Sequence, residues 1–371
     1  MFDKIKKLDP TGQFEVLKKS ADQVEDALNN HFDLRLGDGG GVSSAGRLGS
    51  SSLGEADNGT DTGKNSETAG IKNIVICGLG GSAIAGDILA LWGKEELKVP
   101  LYINRNYGVP NFVSSDSLVV LSSYSGTTEE TLSAYHAAGE RGAKRICLTT
   151  GGTLKELAGR DGVTVVPLMP GFQPRYALYT SFFNILNLFS KLELLKRDDE
   201  LLRRIVANLR SLGEKYSQPG NRAYQIAQEI NGKLPIIYSA VGVTDSIGTR
   251  FKGQFNENGK THAFHNVFPE MNHNEIIGWE TYGSMNENWA VFELLDETIH
   301  PQVKKRFDVF NEILAEKNVS LYKISSSLPT YQERLFDMIY FLDWITYYRA
   351  IVWDKDPVEI DYIHLLKKRI S

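Results

Sequence analysis

Only two cysteines, Cys77 and Cys147, occur in 371 residues. Each sits inside a short apolar run that reads as a strand, so a disulfide framework is excluded and a reducing compartment is expected. An excess of positive charge is missing too. The 41 Lys and Arg are outnumbered by 46 Asp and Glu, giving a net charge of -5, which argues against a nucleic-acid-binding surface. No apolar run approaches the roughly 20 residues of a membrane span. Met1-Phe2-Asp3-Lys4-Ile5-Lys6-Lys7 leads into no apolar stretch, so no signal peptide is expected. Together these absences predict a cytoplasmic protein, in which the formal glycosylation triplet Asn58-Gly59-Thr60 carries no weight. What is present is an ordinary globular composition, 42% hydrophobic and 23% charged, at a length sufficient for two domains.

Taken in order, residues 1–35 read as an N-terminal helical segment. Phe14, Val16, Leu17, Ala21, Val24, Ala27 and Leu28 fall roughly on one helical face. Residues 36–70 are dominated by Gly, Ser, Asn, Asp and Thr. Such a segment cannot bury enough apolar surface to offset its chain entropy, and it reads as a flexible insertion. From residue 71 strands and helices alternate, with strands near Ile74–Cys77, Leu101–Ile103, Leu118–Leu121, Arg145–Thr149 and Val163–Val166. Helices over 176–195 and 199–216 close this unit. Alternation resumes with strands at Leu234–Tyr238, Trp289–Leu294 and Ser320–Ile324, helices over 244–256, 301–317 and 329–350, and an amphipathic tail ending at Ile370. The fold class is therefore α/β, as two doubly wound parallel-sheet domains with helices on both faces, spanning 71–215 and 216–371.

Chemistry concentrates in Ser122-Ser123-Tyr124-Ser125-Gly126-Thr127-Thr128-Glu129-Glu130-Thr131. A buried strand runs into it and a helix leaves it near Thr128, with Thr127 and Glu130 in capping-box spacing. Five aliphatic hydroxyls, at Ser122, Ser123, Ser125, Thr127 and Thr128, crowd this turn, Gly126 permits close backbone approach, and the helix N-terminus favours an anion. With no lysine nearby, a phosphate monoester held by neutral donors is the natural guest. A second loop, Gly78-Leu79-Gly80-Gly81-Ser82-Ala83, fits the dinucleotide fingerprint. The second strand, however, ends Ile103-Asn104-Arg105-Asn106 and supplies no carboxylate for a ribose. Two anion loops at the carboxyl ends of strands favour a phosphate between them over a dinucleotide.

Gly80-Gly81-Ser82 with Ser123-Tyr124-Ser125-Gly126-Thr127-Thr128 resembles the sugar isomerase (SIS) domain. Asn256-Glu257-Asn258-Gly259-Lys260 and Pro269-Glu270-Met271-Asn272-His273-Asn274-Glu275 resemble the bifunctional phosphoglucose/phosphomannose isomerase family, over about residues 71–371. That resemblance implies interconversion of glucose 6-phosphate and mannose 6-phosphate with fructose 6-phosphate through a cis-enediol, without cofactor or metal. It implies Glu257 as the proton-shuttling base. His273 becomes the ring-opening residue, supplied to the neighbouring subunit of a homodimer. Arg175 becomes a cation near the enediolate, Lys367 a lysine near the ring oxygen, and Gly81, Ser82, Ser123, Ser125 and Thr128 the phosphate site. Lys368 adjoins Lys367, and the motif admits either. Asn256 and Asn258 could orient the Glu257 carboxylate. Val358 departs from the pattern, standing where some relatives have Thr; if that hydroxyl admits the C2 epimer, mannose 6-phosphate is the weaker substrate.

Other readings are open at this level. A phosphosugar-binding regulator would keep the hydroxyl loop without catalysis, but would want a basic helix-turn-helix that the first 35 residues are too short to supply. An amidotransferase-type isomerase would want a glutaminase domain. His262, His265 and His273 raise zinc, but their spacing fits no two-His helical motif and no Cys accompanies them.

Overall fold

The computed structural model describes residues 1–36, 68, 70–280, 283 and 285–370. Strands β1 (Asn73–Cys77), β2 (Leu101–Asn104), β3 (Ser117–Ser122), β4 (Lys144–Thr149) and β5 (Thr164–Pro167) form one sheet in the order β2-β1-β3-β4-β5. Strands β6 (Leu234–Ala240), β7 (Phe264–Phe268), β8 (Trp289–Leu294) and β9 (Ser320–Ile324) form the other in the order β7-β6-β8-β9. All pairings are parallel. The second sheet thus repeats the topology of the first without its last strand.

The period-2 alternation of each strand divides the core. Ile74, Ile76, Leu118, Val120, Ile146 and Leu148 face one way, into the main hydrophobic cluster. Val75, Cys77, Val119, Leu121 and Cys147 face the other way, onto helices α5 (Glu129–Glu140) and α6 (Gly152–Asp161). In the second sheet Ile237, Ala290, Phe292 and Leu294 face the main cluster. Ile236, Tyr238 and Val291 instead meet α11 (Pro301–Ala315) through Phe307, Phe310 and Leu314. Burial raises both cysteine thiols to about 12, so they pack as small apolar groups.

The main cluster lies between the two sheets and is filled by helices. These are α4 (Gly80–Trp92), α7 (Leu178–Lys191), α8 (Asp199–Tyr216), α9 (Arg222–Glu229), α10 (Asp245–Glu257) and α12 (Tyr331–Val352). The sequence suggests an apolar stripe on α12, yet the helix is buried on nearly every side, with charged Glu333, Arg334, Asp343 and Arg349 buried among its apolar residues. Its start is fixed by a capping box between Thr330 and Glu333. Residues 1–28 form three helices, α1 (Phe2–Leu8), α2 (Gln13–Lys18) and α3 (Ser20–Leu28), and these join the same core. Buried Asp9 accepts from the Gln13 and Phe14 amides at 2.8 and 2.7 Å and from the Tyr347 hydroxyl at 2.9 Å.

Three elements went unread in the sequence. Strand β7 is an edge strand whose polar Asn266 and half-buried His265 hide its period; α6 and α9 are short, with ten and eight residues. The capping box expected between Thr127 and Glu130 is not made. Thr128 is the N-cap of α5, without a side-chain cap, because the hydroxyls pair with one another across the loop. Apart from Leu36, Thr68 and Gly70, the low-complexity segment 36–70 lies outside the described residues. The tail helix is α13 (Asp361–Ile370), exposed along its whole length. No described helix is long and apolar enough to cross a membrane.

Candidate active site

In the first sheet the chain leaves β1 toward β2 on one side and β3 toward β4 on the other. The loops after β1 and β3 therefore flank the topological switch point, where open α/β sheets bind ligands. The β3 loop carries Ser123 Oγ 2.9 Å from Thr128 Oγ1 and Ser125 Oγ 3.0 Å from Thr127 Oγ1. Ser123 Oγ also accepts from the Gly126 amide at 3.1 Å. The β1 loop joins it through Ser82 Oγ, which accepts from the Tyr124 amide at 3.3 Å. Gly126 has φ 70°, and a Cβ there would lie 1.8 Å from the Gly151 carbonyl oxygen, so only glycine fits. The loops that open α4 and α5, carrying Gly81, Ser82, Ser123, Ser125 and Thr128, are thus joined by hydrogen bonds.

Both loops are tied to the segment that carries Arg175. Tyr124 donates its hydroxyl to the Met169 carbonyl and accepts from the Phe172 amide, both at 2.9 Å. A Cβ on Gly81 would lie 2.4 Å from the Pro174 carbonyl oxygen, so that glycine lets the start of α4 rest on the turn bearing Arg175. Arg175 is 4% exposed. Its Nε donates to Asn258 Oδ1 at 2.6 Å, Nη1 to Glu257 Oε2 at 3.2 Å, and Nη2 to the Pro357 and Val358 carbonyls at 2.7 and 2.8 Å. A guanidinium has five N–H donors, so one, on Nη1, donates to none of the described residues.

Glu257 ends α10, which runs antiparallel beside α4; Ser246 near its start donates to the Asp87 carbonyl at 3.2 Å. The C-terminus of α10 consequently faces the N-terminus of α4. Between them opens a cleft lined by Gly80, Gly81, Arg105, Arg175, Arg250 and Glu257, among others. Glu257 also borders a second cleft, with Lys260, Glu359 and the first turn of α13. The carboxylate side chain is 38% exposed, paired on one face and open on the other. That is the disposition a proton-transfer base requires.

The two asparagines flanking Glu257 act differently from the sequence expectation. Neither touches the carboxylate. Fully buried Asn258 orients Arg175, which in turn holds Glu257, while Asn256 Oδ1 accepts from the Ala263 amide at 3.2 Å. Behind them lies a support the sequence reading missed. Asp343 on α12 accepts from Arg250 Nε and Nη2 at 3.1 and 2.8 Å and from Gln254 Nε2 at 3.1 Å; Arg250 Nη2 then donates to the Arg175 carbonyl at 3.1 Å. A signal was available: Arg250, Gln254 and Glu257 share one helical face, and Asp343 interrupts Phe341-Leu342-Asp343-Trp344-Ile345.

His273 and Lys367 are not brought to this chain's own Glu257. His273 lies exposed in a short 3-10 turn, Glu270–His273, which borders neither cleft. The segment is held by buried Met271 and Trp279 and by Glu275, which accepts from the Tyr238 hydroxyl at 2.7 Å. Lys367 and Lys368 lie on exposed α13, about one turn beyond Ile363, the last residue bordering the second cleft. His265 is half-buried on β7 with Nε2 2.7 Å from Ser239 Oγ, and burial pushes its imidazolium down to about 4. Among the described residues no group of three His, Cys, Asp or Glu is placed to hold a metal.

Two parallel α/β units, with a hydroxyl-rich loop in the first, are the architecture of the sugar isomerase (SIS) class. Residues 69–160 match the family described as "SIS domain", and residues 220–370 match "Bacterial phospho-glucose isomerase C-terminal SIS domain". The chain belongs to the bifunctional phosphoglucose/phosphomannose isomerase family. It is 39% identical to the enzyme of that name from Caldicellulosiruptor bescii, over 83% of this chain and 92% of the relative. Identity to the namesake of Aquifex aeolicus is 35%, over 81% of this chain and 91% of the relative. The crystal structure of Escherichia coli tagatose-6-phosphate ketose/aldose isomerase shares the fold with a TM-score of 0.59 at 16% identity, covering 78% of this chain and 85% of that one.

Proposed function

We propose that this chain interconverts glucose 6-phosphate, and mannose 6-phosphate, with fructose 6-phosphate through a cis-enediol. The observation that carries the reading is the Glu257 carboxylate, held by Arg175 on one side and open on the other, bordering a cleft that Gly80 and Gly81 of the β1 loop also line. A hexose phosphate anchored at the two loops, by the Ser82, Ser123, Ser125 and Thr128 hydroxyls and two helix N-termini, presents its carbonyl end toward α10. Glu257 then takes the proton from C2 of the open-chain aldose and returns it to C1. The remaining Arg175 N–H meets the oxygen on which enediolate charge develops.

Ring opening falls to His273 of a second copy. Its exposure, on a segment braced by Met271, Trp279 and Glu275, supports a residue presented outward. Lys367 on the exposed tail helix is assigned to the ring oxygen on the same footing, with a cytoplasmic homodimer as the working unit. The chemistry needs no cofactor, since the proton and electrons stay within substrate and base. A coupled assay for glucose 6-phosphate formed from fructose 6-phosphate, run with and without EDTA, tests the reading. Equal activity in both is expected; no product with either ketose or mannose phosphate leaves the phosphosugar-binding regulator.

A further inference from the structure

Lys260 follows the C-terminal turn of α10 and takes a left-handed backbone with φ 51°. That region is unfavourable for a residue with a Cβ, and such residues persist where their surroundings hold them there. The turn folds the side chain back beneath the helix end. Its Nζ donates to the carbonyl of Glu257 and, at 2.6 Å, to the carbonyl of Glu359. The first acceptor is one of the last carbonyls of α10, where the helix dipole favours a cation. The second closes a set: Arg175 already holds the carbonyls of Pro357 and Val358. Three successive carbonyls of the segment before α13 are therefore gripped by two cations. Both cations also hold Glu257, one by its carboxylate and one by its carbonyl.

Resting on the isomerase reading, we propose that Lys260 is a positioning residue for the reaction. Its ammonium clamps the Asp356–Glu359 segment, and with it the root of the tail helix, to the turn that carries Glu257. The clamp depends on charge. Burial, reinforced by Arg175, pushes the Lys260 ammonium down to about 8, against the attraction of Asp356, Glu359 and Glu257. Lys355 and Asp361 border the same cleft and complete the charged groups around it. Above that pH a neutral amine still donates but has lost its electrostatic grip on the carbonyls. Since the folded value lies below the usual 10.5, the folded chain binds fewer protons than the unfolded chain between about 8 and 10.5. This group therefore favours folding more as pH rises through that window. Clamp release and unfolding thus have opposite pH dependences at this residue.

The test compares the unmodified protein with Lys260→Arg and Lys260→Met. It follows kcat and KM from pH 6 to 10, and the hydrogen-exchange protection of backbone amides in residues 356–363. In the unmodified protein kcat should fall above about pH 8 while the fold persists. Lys260→Arg keeps its charge and should carry kcat through that limb. Lys260→Met should lose roughly 10- to 100-fold in kcat at pH 7 with KM changed less than about threefold, and protection over 356–363 should drop at least tenfold. An alkaline limb unchanged in Lys260→Arg overturns the proposal. So does equal protection in Lys260→Met and the unmodified protein, a readout that stands even if no isomerase activity is found. Should Lys260→Met fail to fold, the Lys260→Arg profile decides.

Discussion

Asp343→Asn should destabilise the protein by about 3–5 kcal/mol, the usual cost of removing one partner from a buried ion pair. Asp343 and Arg250 are 2% and 6% exposed. The carboxylate accepts from two Arg250 nitrogens and from Gln254, at 2.8–3.1 Å. An asparagine offers one oxygen and an NH2 in place of two oxygens, so at least one donor would face another donor, and the guanidinium would stay buried without a counter-charge. The same guanidinium holds the Arg175 carbonyl, so kcat should fall along with stability. Equilibrium unfolding in urea, followed by tryptophan fluorescence, reads the first effect, and steady-state turnover of fructose 6-phosphate reads the second. The double variant Arg250→Met/Asp343→Leu separates them. Apolar replacement of a buried pair is often neutral or stabilising, so its stability should return while its kcat stays at least tenfold below normal. A loss under about 1 kcal/mol in Asp343→Asn, or full activity in the double variant, would refute this chain of support.

Ser125→Ala combined with Thr128→Val should raise KM for fructose 6-phosphate at least several-fold, since each donor to a bound dianion contributes roughly 1.5–3 kcal/mol; an unchanged KM places the phosphate elsewhere. Deleting residues 38–68 should leave thermal stability and activity largely intact, because that composition offers little apolar surface to any core; insoluble or inactive product would make the segment a working part. Mixing inactive Glu257→Gln with inactive His273→Ala protein, under conditions shown to exchange subunits, should restore part of the activity. One site of the mixed dimer then receives both intact residues. No recovery after verified exchange would mean that the two residues do not serve a shared site.

The architecture was legible because parallel strands buried on both faces read as apolar runs, and each fell within a residue or two of its place. Strand β7 escaped because an edge strand with Asn266 and His265 on it breaks the apolar run. The meeting of the β1 and β3 loops was legible for a different reason: their hydroxyls, glycines and helix starts lie together in the chain as they do in space. Glu257 and Arg175 are 82 residues apart, and the contact between them exists only because α4 and α10 pack antiparallel. No local pattern reports that. Asn258 and Asp343 were invisible as supports because a buried polar residue declares its role only through its partner, and theirs are distant in sequence. His273 and Lys367 show the converse, residues marked by their motifs that this chain does not bring to its own Glu257.

The most direct test of the account is the turnover of Glu257→Gln. Glutamine keeps the shape of the side chain and one acceptor for Arg175, so folding and phosphate binding should survive, while proton transfer between C1 and C2 has no base. With fructose 6-phosphate at saturation, and the fold checked by circular dichroism, kcat should fall by about 10²–10⁴-fold or more, the range for general acid–base groups. A kcat within tenfold of the unmodified protein would contradict the assignment of Glu257 as the base on which the site is built.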